Sequence, residues 1–311
     1  MRLRLVLPAR ITGFVLLIAS FAYAGPTAWP ISLLSSDSDV IYTGQDQTEA
    51  DMPEETDRTQ APSMDPNDDR NNTSLEAEYA DFLADYIRPS DGINFLAYGE
   101  VSQEDWQKLK AYISHLETTG IAGLNRDEQM AFWINLYNAK TIDVILEAYP
   151  VKSVKNIGLF GRGPWDKKNM TVTGFGAMSL NNVEHDTLRV NWQDPRIHYA
   201  VNCASYGCPN LKATPWTADT LEADLEAAAA AFINHQRGVR VEDGKVIASK
   251  IFTWYIGDFG GSKASTLAHL RQYADGELKT ALESASTIHK YEYDWALNAP
   301  PSGKTPAAKG S

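Results

Sequence analysis

Apolar residues recur at helical spacing through most of the chain after residue 75. The spacing predicts helices over residues 76–87, 104–116, 126–148, 180–190, 217–235, 267–273 and 278–282. The helix over 126–148 has the strongest signals. Asn125 and Glu128 form a capping-box pattern at its start, and Pro150 follows its end, where a proline cannot continue a helix.

Short runs of alternating apolar and polar residues predict the strands. One strand lies near 170–173, a hairpin over 239–247 turns at Asp243 and Gly244, and a terminal strand covers 288–297. The run 196–202 also alternates, which predicts a strand that ends at Cys203. Because helices dominate, we expect an α+β fold: a single domain with several helices packed on a mainly antiparallel sheet.

The N-terminus has the three regions of a cleavable signal peptide. Arginines come first, an apolar run over 11–21 follows, and the small residues Ala22 and Ala24 precede a predicted cleavage site before Gly25. The apolar run is too short to span a bilayer. We therefore expect residues 1–24 to be removed and the protein to be periplasmic or secreted, without a stable membrane span.

An acidic segment separates this signal from the predicted domain. Between residues 37 and 70, eleven aspartates and glutamates stand against two arginines, so residues 25–73 are predicted to be a disordered linker. The globular domain is expected over 74–298, with a flexible tail over 299–311. The net charge of −12 and the lack of a basic stripe argue against a nucleic-acid partner.

Both cysteines of the chain, Cys203 and Cys208, lie directly after the predicted strand. One hypothesis makes Cys203 a thiol nucleophile, activated by His185 as its base. On an extended strand at about 3.3 Å per residue, His198 would lie about 16 Å from Cys203. His198 is therefore expected to contact substrate, or to support the site, without touching the sulfur.

The imidazole of His185 would need a side chain that orients it. Glu184 and Asn138 are the first candidates. Glu184 is adjacent to His185 on the same predicted helix, so the two side chains diverge by about 100°. A carboxylate from elsewhere in the chain, such as Asp258, would orient the imidazole better.

Two further hypotheses use the same residues. In an oxidising compartment an even number of cysteines favours a disulfide, Cys203–Cys208, which would fix the turn and could reversibly cap a reactive thiol. Alternatively, His185, His198 and the two cysteines offer the nitrogen and sulfur ligands that tetrahedral zinc accepts. The predicted strand again holds His198 away from Cys203. Outside this alternative, no metal and no cofactor are expected.

Several polar residues could bind substrate or orient the site. Asn135 and Asn138 lie in or beside the apolar stripe of helix 126–148, where an unpaired amide is costly. Each either ties down a neighbouring loop or orients a catalytic group. Arg196 could clamp a carboxylate or pair with nearby acids. Asn202 belongs to the same candidate set, whereas His269 is predicted to lie on a solvated helix surface.

Five sequence blocks occur in a fixed order and together resemble one family, the domain of unknown function 547, over roughly residues 118–298. The blocks are Phe132-Trp133-Ile134-Asn135-Leu136-Tyr137-Asn138-Ala139; Val183-Glu184-His185 with Leu188-Arg189; Arg196-Ile197-His198 through Cys203 to Cys208-Pro209-Asn210-Leu211; Phe252-Thr253-Trp254-Tyr255 with Asp258-Phe259; and Tyr293-Asp294-Trp295-Ala296-Leu297-Asn298. The resemblance implies an exported bacterial protein and supplies no reaction.

The side chains favour a thiol-dependent hydrolase or acyltransferase that acts on a small-molecule or peptide substrate. Its site layout is comparable to papain-like and transglutaminase-like proteins, which is an analogy of site and not of fold. The alternative is a non-catalytic, envelope-associated binding or structural domain that the Cys203–Cys208 disulfide holds rigid. Zinc binding is the second alternative.

Overall fold

Helices form most of the regular structure in the computed structural model, which describes residues 66–158 and 163–301. They are α1 (Pro66–Tyr86), α2 (Gln103–Thr118), α3 (Arg126–Ala148), α4 (Arg189–Trp192), α5 (Ile197–Ala200), α6 (Leu221–Ile233), α7 (Ile251–Trp254), α8 (Lys263–Tyr273) and α9 (Gly276–Ser284). A π-helical segment, Asn182–Leu188, leads directly into α4. Within the described ranges, no helix combines the length and apolar character that a membrane span requires.

The structure describes only part of what the N-terminal and C-terminal patterns predict. The predicted signal peptide, most of the acidic linker and residues 302–311 of the tail lie outside the described residues. Helix α1 begins ten residues earlier than the pattern predicts, so its first turns fall in the segment assigned to the linker.

The central helix of the larger hydrophobic core is α3. Its capping box is confirmed: the Asn125 side chain accepts from the backbone N–H of Glu128 at 3.0 Å, and Glu128 accepts from the N–H of Asn125 at 2.7 Å. Every residue from Met130 to Leu146 is buried. A helix buried on all sides needs partners on all sides, and α2 is one of them.

The strands form three small sheets. They are β1 (Ile87–Ser90) with β2 (Ile93–Leu96), β3 (Met170–Val172) with β4 (Gly176–Met178), and the order β5 (Val239–Glu242), β6 (Lys245–Ser249), β7 (Ile288–Glu292). All pairs are antiparallel except β6 with β7. The α+β class is confirmed, although the described strands do not join into the one sheet we expected.

A second hydrophobic core packs α6, α7 and α8 against the three-stranded sheet. Its largest fully buried side chains are Tyr199, Phe232 and Phe252. The β5–β6 hairpin turns at Asp243 and Gly244, where φ is 49° and 72°, as the sequence predicts.

The strand predicted over 196–202 is wrong. Residues Ile197–Ala200 form the helical turn α5, and the chain becomes extended only at Val201. All four residues of α5 are buried, so the alternation did not separate a core face from a solvent face. Asp194 accepts from the backbone N–H of Arg196 at 2.8 Å through its side chain and from the N–H of Ile197 at 3.2 Å through its carbonyl, so a turn at Asp194 and Pro195 leads directly into α5.

The prediction that His269 lies on a solvated surface is also wrong. Helix α8 turns this residue into the second core, where 9% of it is exposed and its Nε2 lies 2.8 Å from the Tyr199 hydroxyl. Burial lowers the pKa of His269 from 6.5 to about 4. The core therefore holds a neutral imidazole.

We expect the free energy of unfolding to fall as the pH drops from 6.5 towards 4, because in this range His269 binds a proton in the unfolded chain but not in the folded one. The loss should be about 3 kcal/mol of unfolding free energy. Urea titrations at several pH values measure it. In His269→Gln the loss should shrink, whereas Tyr199→Phe should retain it, since burial dominates the shift. Parallel pH curves for wild type and His269→Gln would contradict the assignment.

Candidate functional site

A cavity of about 440 Å³ opens beside the cysteine loop. Aromatic side chains form much of its wall: Tyr137, Trp165, Trp254, Tyr255, Tyr293 and Trp295. Glu184, His198, Asp166 and Asn181 supply polar groups. Cys203 and Cys208 complete one side. A concave, mainly apolar pocket with a few convergent polar groups is the usual form of a ligand site.

Cys203 and Cys208 are joined in a disulfide, with 6.3 Å between their Cα atoms. The hydroxyl of Tyr293 lies 3.1 Å from each sulfur, and the Ser205 hydroxyl lies 3.4 Å from the sulfur of Cys203. The disulfide therefore closes a short loop whose sulfurs contact hydroxyl groups. This confirms the disulfide that the spacing of the two cysteines suggested.

His198 projects from α5 into the cavity wall and is almost completely buried. Its Nε2 lies 2.7 Å from Asp258 Oδ2, so this nitrogen carries the hydrogen and donates to the carboxylate. The ring stacks on Tyr255 with 3.9 Å between centroids. The other nitrogen, Nδ1, faces Glu184 Oε1 at 3.9 Å. Both the position and the tautomer of the imidazole are thus defined.

Asp258 joins His198 to Arg189. The guanidinium of Arg189 donates two hydrogen bonds to the two Asp258 oxygens, at 2.6 and 2.9 Å. Burial alone would raise the pKa of Asp258, but the hydrogen bonds and charges of His198 and Arg189 outweigh it and lower that pKa below its usual value. The carboxylate therefore stays ionised and orients the imidazole.

Glu184 lies on the π-helical segment and is 5% exposed. The hydroxyls of Tyr137 and Tyr255 are hydrogen-bonded to it. Burial is the largest cause of the raised pKa of both tyrosines, and the charge of Glu184 adds to it. These hydroxyls therefore remain protonated donors. A π-helical turn often marks a functional site, because its wider hydrogen bonds reorient a side chain.

The family model described as Protein of unknown function, DUF547, matches residues 121–233 of the chain. Over these residues the chain is similar to that family. The matched range includes Glu184, His198 and both cysteines, and Asp258 follows it in sequence. Comparison with curated proteins and with solved structures found no match.

The fold does not assemble the predicted Cys203–His185–Glu184 arrangement. His185 is absent from the cavity lining, and its Nδ1 lies 3.2 Å from Arg189 Nη1. Among the described residues, no imidazole nitrogen is within hydrogen-bond distance of either sulfur. Asp258 was a candidate to orient the imidazole of His185, but its carboxylate is hydrogen-bonded to His198. The helical turn at α5 brings His198 to the same cavity as Cys203.

The zinc hypothesis is wrong for this fold. Both sulfurs are bonded to each other, so neither is available as a thiolate ligand. In the part of the chain that the structure describes, no three histidine, cysteine, aspartate or glutamate side chains converge as metal ligands.

The amides predicted to orient the site hold loops in place. Asn135 exchanges two hydrogen bonds with the backbone of Trp216, at 2.8 and 2.9 Å. Asn138 donates to the Ala200 carbonyl at 2.9 Å and accepts from the N–H of Asn202 at 2.8 Å. Asn202 in turn donates to the Pro209 carbonyl at 2.7 Å. These bonds fix the segment between His198 and the disulfide.

Arg196 takes no part in the cavity. Its guanidinium pairs with Asp194, Glu222 and Glu226 at 2.6 to 2.7 Å. Arg196 therefore links the start of α5 to α6 through ion pairs. The aromatic residues of the cavity wall were not among the candidate site residues, and one of them, Trp254, is 45% exposed. Their recurrence in three of the five family-like blocks was the available signal.

We expect Asn138→Ala to destabilise the fold by about 2–4 kcal/mol. The substitution leaves a buried carbonyl and a buried N–H without partners, and each costs about 1–3 kcal/mol. Chemical denaturation measures the loss. Glu147→Ala, an exposed change on the same helix, is the control and should have little effect. An equal effect of the two substitutions would show that the amide does not hold the loop.

Proposed function

We propose that this domain binds a small organic cation in the aromatic cavity, and that the disulfide keeps the cavity in shape. The charge of the lining carries the proposal. Among the described residues that line the cavity, the carboxylates are Glu184 and Asp166, and there is no lysine or arginine. An anionic ligand would lose its hydration without gaining a counterion.

The aromatic wall supports the same ligand class. Trp254, Tyr293 and Trp295 form a cluster with ring centroids 4.6 to 5.4 Å apart. The faces of such rings attract a cation, and they also cover the apolar part of an organic ligand. Glu184 is the buried charge that an ammonium group would meet, since the charge of Asp258 is already matched by Arg189.

We expect benzylamine to bind at least about tenfold more tightly than benzoate, with benzyl alcohol between them. The three probes share one ring and differ in charge. Isothermal titration and tryptophan fluorescence measure the dissociation constants. Glu184→Gln should weaken benzylamine binding by about tenfold and leave benzyl alcohol binding almost unchanged, since the amide retains the shape but not the charge.

Two variants serve as controls for this experiment. Glu277→Gln removes an exposed charge on α9 and should leave all three affinities unchanged. Trp254→Ala should weaken all three probes, because the exposed ring covers the apolar part of each. Equal affinity for benzoate and benzylamine in the wild type would refute the proposed ligand class.

A second candidate function is thiol-dependent acyl chemistry after reduction of the disulfide. It is supported by the presence of Cys203 and His198 in the lining of the same cavity. A dithiol reductant would release both thiols. The step requires the freed Cys203 to come within reach of His198 Nδ1, which would accept the thiol proton. The thiolate would then attack an acyl carbonyl, and the leaving group would take the proton. Asp258 would orient the imidazole, and Tyr293 would donate to the thiolate.

We expect Cys203 to alkylate with iodoacetamide near neutral pH at least about tenfold faster in the reduced wild type than in reduced His198→Gln. Intact-mass spectrometry gives the rates, and Cys203→Ser identifies the reacting sulfur. Equal rates in wild type and His198→Gln would contradict the proposed acyl chemistry, and ligand binding would then be the only proposed function that stands. A disulfide that resists a dithiol reductant would do the same.

We also propose that the domain is exported. The predicted signal peptide over 1–24 supports this, and so does a disulfide, which persists in oxidising compartments. The intact masses from the alkylation experiment also test the proposed cleavage before Gly25.

A further inference from the structure

A second cavity, of about 620 Å³, lies behind Tyr293. Its lining shares only that residue with the first cavity. The other lining residues come from the cysteine loop, from the chain after α6, and from the sheet, and the charged ones are Arg237, Arg240, Lys250, Glu292 and Asp294. The proposed function of the first cavity makes no use of this surface.

Arg237 is the unusual residue of this second cavity. Its Nη1 donates to the Tyr206 carbonyl at 3.2 Å, and its Nη2 donates to the side-chain oxygen of Asn210. Both acceptors are uncharged. Its Nε is buried without a partner, and no described carboxylate lies within ion-pair distance of the guanidinium. A partly buried cation is thus held in place without a counterion.

The physical chemistry of this arrangement favours an anion. Burial lowers the pKa of Arg237 to about 10, which still leaves the guanidinium charged at neutral pH. A charge removed from water without a partner costs free energy that an anion in the cavity would offset. Several of its N–H groups remain available to an oxyanion.

The other charges of the lining divide into paired and unpaired groups. Arg240 is held by Glu242 and Glu292 at 2.6 and 2.5 Å. Lys250 is exposed, and within the described residues its amine has no carboxylate within 4 Å. Asp294 is the opposing acid, and its Oδ1 accepts from the N–H of Ala296. With Arg240 paired, Arg237 and Lys250 carry more positive charge than Asp294 can match. The cavity therefore has an excess of positive charge.

We propose that this second cavity is a binding site for a small oxyanion, a phosphate or a carboxylate, which Arg237 holds by charge-assisted hydrogen bonds and Lys250 attracts. The site is independent of the aromatic cavity. The two cavities would take ligands of opposite charge on either side of Tyr293.

Isothermal titration of the full chain with inorganic phosphate and, separately, with succinate tests the site at constant ionic strength. We expect saturable binding of at least one of the two. Arg237→Gln should weaken it by about tenfold or more, and Lys250→Gln by about threefold. Arg237→Lys should lie between wild type and Arg237→Gln, because it retains the charge but loses the fork of donors.

Lys279→Gln is the matched control, since it removes one exposed positive charge on α9, outside the cavity. It should bind as the wild type does. If Arg237→Gln fails to fold, Lys250→Gln still tests the anion site, because Lys250 is exposed and its side chain makes no described contact that folding would need. Absence of saturable binding of both anions by the wild type would overturn the proposal. Equal binding by the wild type and both glutamine variants of the cavity would also overturn it.

Discussion

The ionised carboxylate of Asp258 is the constraint on which the site depends. It joins three segments that are far apart in sequence: Arg189 at the end of the π-helical segment, His198 on α5, and its own loop after α7. A partly buried carboxylate is stable only with partners, so these segments must meet there. One consequence is that the imidazole is fixed before any ligand enters. Another concerns Glu184, which is one turn from Arg189. Because Arg189 pairs with Asp258, Glu184 faces the cavity without this arginine as a counterion.

Tyr293 has a comparable role on the other side of the cavity. Its hydroxyl touches both sulfurs, and its ring belongs to the aromatic cluster. The same side chain separates the aromatic cavity from the cavity of Arg237. The loop between Cys203 and Cys208 contributes Tyr206 and Gly207 to the second cavity, and backbone hydrogen bonds to Asp294 and Ala296 also hold it. The disulfide thus lines the first cavity and closes the loop that lines the second.

Sequence patterns predicted the long helices well because their determinants are local. The capping box at Asn125 and the apolar stripe of α3 need no knowledge of distant residues. The failure at 196–202 has the same origin. In a short segment buried on all sides, alternation carries no information about the backbone, whereas Asp194 and Pro195 form a local turn that leads into α5. Because the predicted strand placed His198 far from Cys203, the sequence favoured His185 as the base.

The chemistry of the site was only partly predictable, because its contacts join distant residues. Cys203, Glu184, His198 and Asp258 were all identified from residue type and position. The pairing of these residues was not identified, because no local sequence pattern indicates that Asp258 contacts His198, sixty residues away. Charge balance could not be read from the sequence either. The chain is acidic as a whole, yet among the described residues Arg237 has no carboxylate within ion-pair distance and Glu184 has no lysine or arginine within it. Such local imbalance, and not the net charge, decides which ligand each cavity can hold.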